Sequence, residues 1–296
     1  MPPERRAWEP DLLKCRSHSW TRFYGPDKTM RIRKLNIWGW VWFTAGVLYF
    51  FVPLIATFEF SLRAKKGTLS LLAYQRVLED PQFWRTFGFS VSMGVVTILA
   101  SLILIAPTAY WIRLRLPRLR PVVEFITLMP FVVPAIVLVF GLIRLYSGKP
   151  FALTNTVVGT DMLLVAGYMV LALPYMYRAV DTGLAAIDVR TLTEAAQSLG
   201  AGWGTILFRV VFPNLRAALL SGAFLTFAMV IGEFTIASFL VGMNAFGPYM
   251  SQVGQNKAYE SSSLAIISFA LTWALMGLIQ FFNRGAPEQG QMGGAR

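Results

Sequence analysis

Six separate stretches of the chain are apolar for long enough to cross a lipid bilayer: Ile37 to Phe60, Phe87 to Ile112, Pro121 to Tyr146, Met162 to Val180, Leu215 to Val241 and Leu264 to Phe282. A hydrocarbon core requires about 20 mostly apolar residues per spanning helix. The sequence therefore predicts an all-α integral membrane protein with six transmembrane helices. Composition supports this, since 55% of residues are hydrophobic, 14% are charged and the mean hydropathy is +0.54. Those values exclude an ordinary soluble domain.

Basic residues orient the bundle. Arg5, Arg6, Lys14, Arg16, Arg22, Lys28, Arg31, Arg33 and Lys34 precede the first span; Arg113, Arg115, Arg118 and Arg120 follow the second; Arg178, Arg190, Arg209 and Arg216 surround the fourth connection. The positive-inside rule then places both termini in the cytoplasm. Arg63, Lys65, Lys66, Arg76 and Arg85 in the first outer loop oppose that assignment, but they are less dense than the N-terminal cluster. The net charge of +12 thus reads as topology and not as nucleic-acid binding, because no aromatic-interleaved basic groove accompanies it.

The first 35 residues are polar and contain no short apolar core with a small-residue cleavage site, so the first span is expected to be an uncleaved anchor. The expected division is a basic cytoplasmic tail over 1–35, a transmembrane domain over 36–284, and a flexible cytoplasmic tail over 285–296. Cys15 is the single cysteine, which excludes an intramolecular disulfide.

The connection between the fourth and fifth spans, about 188–213, reads EAAQSLGAGWGTILFRVVFP from Glu194 to Pro213. Thr191 and Glu194 have capping-box spacing, which predicts a helix start at Thr191. Gly200 stands where a left-handed C-cap is wanted, and Gly202 and Gly204 loosen the chain before an amphipathic turn with Ile206, Leu207, Val210 and Val211. The result is two short helices with a glycine joint, the second ending at Pro213. Ala195 and Ala196 leave one face nearly bare, suited to close approach of a partner. Taken without any family, the same pattern also describes an interfacial helix pair resting on lipid headgroups.

This stretch resembles the EAA loop of permeases in ATP-driven, binding-protein-dependent importers. That pattern is Glu-Ala-Ala, three residues, Gly, nine residues, an aliphatic, one residue, an apolar, then Pro. Glu194, Ala195, Ala196, Gly200, Val210, Phe212 and Pro213 meet every spacing, with Val210 for the usual Ile and Phe212 for the usual Leu. The resemblance covers about residues 35–284 and is nearest to spermidine/putrescine-type permeases, a group that also serves iron, thiamine, phosphonate and opine systems. It implies the six-span type I ABC importer permease core in the bacterial inner membrane. It also implies a partner ATP-binding cassette ATPase dimer that receives the loop, a second permease subunit, usually distinct, and an extracytoplasmic solute-binding protein. Such a permease is not an enzyme and needs no cofactor.

Within the apolar stretches, Glu233 in AMVIGEFTIASF is the conspicuous ionisable residue, read as lying near the middle of the fifth span. A carboxylate there usually faces a bundle interior or a water-filled cavity. Two roles remain open: attracting a cationic substrate along a translocation pathway, or tying helices together through hydrogen bonds. Glu59 and Glu124 lie near opposite boundaries and can reach water. Pro53, Pro107, Pro130, Pro134 and Pro174 interrupt the apolar segments, and each removes a backbone donor. The segment around Tyr74, Val77 and Leu78 has helical spacing before Pro81. Phe83 and Trp84 after it fit either the corresponding aromatic region of the family or a membrane-surface belt.

Other activities lack their chemistry. An intramembrane serine protease needs a histidine base, and His18, the only histidine, sits in the polar tail. The same lack disfavours a membrane zinc enzyme. Gly148 and Lys149 lack the upstream glycine and following hydroxyl residue of a phosphate loop, so energy must come from a partner. An ion-coupled carrier working alone would show paired interrupted helices with matching acidic residues, and a scaffold without transport gives Glu233 and the kinks no purpose.

Overall fold

A computed structural model describes residues 37–65, 68–150 and 152–283. The predicted tails, with Cys15 and His18, lie outside the described residues. Among those described, the chain is helical, in the order α1 (Ile37–Ser61), α2 (Leu72–Glu79), α3 (Pro81–Arg115), α4 (Arg120–Val132), α5 (Ala135–Tyr146), α6 (Val157–Ala186), α7 (Val189–Ser198), α8 (Trp203–Thr205), α9 (Phe212–Gly232), α10 (Thr235–Leu240), α11 (Phe246–Asn256) and α12 (Ala258–Asn283).

The apolar stretches fall on α1, α3, the α4–α5 pair, α6, α9 and α12. Continuous segments at Trp38–Ser61, Pro81–Arg115, Val157–Ala186 and Trp203–Gly232 are long and apolar enough to span a bilayer. The third stretch departs from expectation. Instead of one helix from Pro121 to Tyr146, α4 and α5 meet at a bend of 99°. Val133 is extended there, and Pro134, which has no N–H to continue the α4 ladder, becomes the N-cap of α5.

The fifth stretch also differs. α9 ends at Gly232, and Glu233 adopts extended backbone (φ −77°, ψ 124°) before α10 begins. Glu233 therefore marks a break between two helices and does not lie inside one. Chain breaks at membrane depth persist only where protein or a polar cavity satisfies the freed backbone, and the Glu233 side chain performs part of that task.

α3, α6 and α9 form the centre of the bundle. α3 buries Thr86, Ser90, Gly94, Thr97, Ser101 and Ile105 along one face. These residues recur every three or four positions, so the face is a single stripe, and its small side chains permit close approach of neighbouring backbones. A Cβ added at Gly94 would stand 3.2 Å from the Phe227 ring, and one at Gly183 on α6 would stand 2.5 Å from Ala218 Cβ on α9. Glycine fits at Gly183 because the Ala218 Cβ, fixed rigidly to the α9 backbone, occupies the space a side chain would need.

At the end of the bundle where α3 begins, the predicted helix around Tyr74 is α2. Tyr74 hydroxyl lies 2.7 Å from Ser61 Oγ. The belt reading fails for Phe83, which is fully buried and packs with Phe87 and Phe246. Trp84 is exposed, its Nε1 donating to the Leu78 carbonyl at 2.9 Å. Glu59 and Glu124 pair with Arg63 and Arg120 one helical turn away.

Candidate functional site: the loop between the fourth and fifth spans

α7 starts three residues earlier than the Thr191 capping box predicts. Asp188 is the N-cap: its carboxylate accepts the Thr191 N–H at 3.2 Å and the Thr191 hydroxyl at 2.6 Å. A carboxylate at Ncap outcompetes a hydroxyl one turn later because it accepts both donors at the positive end of the helix. Those two bonds, the hydroxyl first, hold the Asp188 carboxyl below the usual aspartate range. Glu194, freed from the capping role, accepts from Arg190 Nε at 2.8 Å on the exposed surface. That bond raises the Arg190 guanidinium further above its already high value.

The C-terminal end of α7 matches the glycine prediction. Gly200 has φ +78°. The Gly200 N–H donates to the Gln197 carbonyl at 2.9 Å and the Ala201 N–H to the Ala196 carbonyl at 3.0 Å. This pair of bonds is the Schellman arrangement, which needs a left-handed residue at Gly200.

Gly202 leads into α8, and from Ile206 to Val211 the helix widens to a π turn before joining α9. The predicted stop at Pro213 is absent. In a regular α-helix the Pro213 ring would meet the carbonyl of Arg209. The wider turn, in which the Phe212 N–H reaches back five residues to the Leu207 carbonyl, admits the extra residue that relieves this clash. The second half of the loop and the fifth span are thus one continuous helix from Trp203 to Gly232.

The seven pattern residues divide by face. Ala196 is buried among Tyr110, Val189, Ile206 and Val211, with Val210 and Phe212 partly buried against the same cluster. Glu194, Ala195, Gly200 and Pro213 face outward. Leu199 beside them is 89% exposed and Phe208 is 66% exposed. Three of the seven thus build the loop, and four face outward on a surface flanked by bare apolar side chains.

Two contacts that the sequence reading missed hold the loop to α3. The Tyr110 hydroxyl lies 2.8 Å from Thr193 Oγ1 in the buried cluster. Arg115 stacks over the rings of Trp111 and Trp203, 6.0 Å and 5.8 Å from their centroids. Asp188 alone had a legible signal, an N-cap residue directly ahead of an amphipathic run. Deeper in the same end, Asp181 on α6 accepts from Arg113 at 3.1 Å and Arg120 at 2.8 Å, joining α3, α4 and α6.

Glu233 lies well away from this loop, 21 residues along α9. Its two carboxylate oxygens accept the Ile236 N–H at 3.0 Å each, and Oε2 also takes the Ala237 N–H at 3.2 Å. It therefore caps α10, and the partial positive charge of the helix start offsets its own. Its backbone carbonyl abuts Gly247 of α11, where no side chain fits. Beyond α10, a cleft of about 880 Å³ opens between the starts of α3 and α6, lined by Asp80, Arg85, Asp161 and Asn244 among others. Among the described residues no cluster of three or more His, Cys, Asp or Glu is placed to hold a metal ion.

This architecture has relatives. A bacterial ABC transporter that imports the acidic polysaccharide alginate superposes with a TM-score of 0.66 at 11% identity, over 85% of this chain and 96% of that one. The MetNI methionine ABC transporter superposes with a TM-score of 0.55 at 20% identity, over 70% and 98%. The fold is accordingly that of ABC importer permeases. In sequence, the spermidine/putrescine transport system permease protein PotB of Escherichia coli is 26% identical over 226 residues, 70% of this chain and 79% of PotB. The family model for binding-protein-dependent transport system inner membrane components matches residues 103–285, from the middle of α3 past the end of α12. The chain belongs to that family of inner membrane permeases.

Proposed function

We propose that this permease is driven by ATP hydrolysis in a separate ATP-binding cassette subunit, and that the loop over 188–213 is where the ATPase dimer docks. The transmembrane unit runs over 36–284 and forms half of a translocation pathway with a second permease, most simply as a heterodimer. An extracytoplasmic solute-binding protein delivers the solute. Both termini face the cytoplasm, as the basic residues direct, with 1–35 and 285–296 as tails.

The observation that carries the reading is the Glu194–Gly200 surface. A helix closed by a left-handed glycine presents Ala195 and Gly200 without bulk, and Leu199 stands almost wholly exposed beside them. A bare apolar side chain on a charged membrane-proximal loop suits a protein partner better than water. Glu194 and Arg190 rim this patch with opposite charges, as at an interface edge.

For the solute we favour a polyamine or related small amine. Among the described residues no Lys or Arg forms a salt bridge with Glu233, whose carboxyl oxygens accept helix N–H groups, so no basic side chain competes there with a cationic solute. The resemblance to PotB points the same way. Co-purification tests the assembly: the chain should retain a co-expressed ATP-binding cassette subunit, and Glu194→Ala should weaken that retention or uncouple hydrolysis from uptake. Wild-type retention and coupled uptake in the variant would remove the loop from the coupling role.

A further inference from the structure

α3 grips both halves of the coupling loop within one six-residue stretch. Thr193 spends its single hydroxyl hydrogen on the Val189 carbonyl at 2.6 Å, so in the 2.8 Å contact Tyr110 is the donor. That bond fixes α7. Arg115, stacked on Trp111 and Trp203, fixes α8 on the other side of the Gly200 joint. The two halves, joined at the Gly200 turn, are thereby held to one helix.

The other end of α3 is tied just as specifically. Asp80 accepts the Gln82 N–H at 2.8 Å as the α3 cap and the Tyr249 hydroxyl at 2.7 Å from α11. The Ser90 hydroxyl accepts the Phe246 N–H at 2.9 Å, where α11 begins. α11 in turn abuts the Glu233 carbonyl through Gly247. The covalent route from loop to Glu233 passes Pro213 as α3 passes Pro107, but it starts in a π turn, whereas α3 is α-helical throughout. α3 stays a single helix through Pro107.

We propose that α3 is the strut through which movement of the coupling loop reaches the Glu233 break, and that Tyr110 and Arg115 are the positioning residues that engage it. This rests on the ATP-driven reading above.

The test uses the complete complex with its ATPase, second permease and binding protein, in nanodiscs. Cys15 is replaced by Ser, and nitroxides are placed at Gln255→Cys on α11 and Val158→Cys on α6. In the otherwise unaltered complex, ATP with vanadate should change the distance between the two labels. Tyr110→Phe and the surface variant Arg115→Gln should keep ATP hydrolysis within about twofold of that of the complex without these substitutions, while losing at least about half of the distance change. Arg115→Lys, which keeps a cation over the rings, should restore it. Tyr110→Phe combined with Thr193→Val should be no worse than either alone. A full distance change in both Tyr110→Phe and Arg115→Gln overturns the strut. A complex without these substitutions that neither hydrolyses ATP nor changes distance overturns the ATP-driven reading itself, and the strut with it.

Discussion

Ala201 donates its backbone N–H to the carbonyl of Ala196 at 3.0 Å, and the bond exists because Gly200 between them turns left-handed at φ +78°. A Cβ at Gly200 would meet nothing within 4 Å. Substitution therefore acts through backbone conformation alone within this chain, costing about 1–2 kcal/mol locally for an ordinary L-residue.

The first prediction separates that conformational role from a contact role. Gly200→Asn should retain much of the ATPase binding, because asparagine tolerates the left-handed region. Gly200→Asp should lose it, since a charge is added to the proposed docking face. Affinity measured by titrating labelled ATPase against the permease in nanodiscs reads the difference, and equal loss in both variants would mean that the surface excludes any side chain at all.

A second prediction concerns Glu233. Glu233→Gln keeps an oxygen to cap α10 but removes the charge, whereas Glu233→Ala removes both. If the charge guides a cation, uptake of putrescine falls in both variants. Normal uptake in Glu233→Gln with loss in Glu233→Ala would instead assign the residue to holding the helix break.

Packing between α6 and α9 gives a third. Gly183→Ala places a methyl carbon 2.5 Å from Ala218 Cβ and 3.0 Å from Leu215 Cδ2. Overpacking of this kind costs about 1–3 kcal/mol. Gly222→Ala meets the Met176 sulfur at 2.8 Å, and that flexible side chain can yield, so its melting temperature should fall less. The order of the two transitions by thermal unfolding in detergent checks the packing.

The fourth follows from Asp188, whose carboxyl is held below its ordinary value by the Thr191 hydroxyl and N–H. A depressed folded pKa stabilises the folded loop above the unfolded value and loses that stabilisation as pH falls through the folded one. The α7 start should thus remain ordered down to below about pH 4, the ordinary aspartate range. A fluorophore on Gln197→Cys, in a Cys15→Ser background, should report loosening only under more acidic conditions. Asp188→Asn should abolish that acid transition.

Much of this site could be read from the chain. The glycine turn at Gly200 and the amphipathic stretch after it follow from local chemistry, and the apolar stretches located the spanning helices. Three features were not accessible in the same way. Glu233 read as mid-helix because hydropathy averages over a window and cannot see that a carboxylate, bonded to Ile236 and Ala237, ends one helix by capping the next. The π turn before Pro213 satisfies the proline by widening the helix, and a pattern that knows only helix or stop predicts a stop. Tyr110 with Thr193, and Arg115 with Trp203, are 83 and 88 positions apart in sequence, so only folding brings them together.

On the proposed reading, the 188–213 loop joins this permease to an ATPase that supplies its energy. The most direct measurement is ATP hydrolysis by the purified complex in lipid, with and without the solute-loaded binding protein, for the natural chain and for Gly200→Asp. Hydrolysis should rise on adding the loaded binding protein to the natural complex and fail to rise in the variant. Equal stimulation in both, or solute uptake by the permease alone without any ATPase, would contradict it.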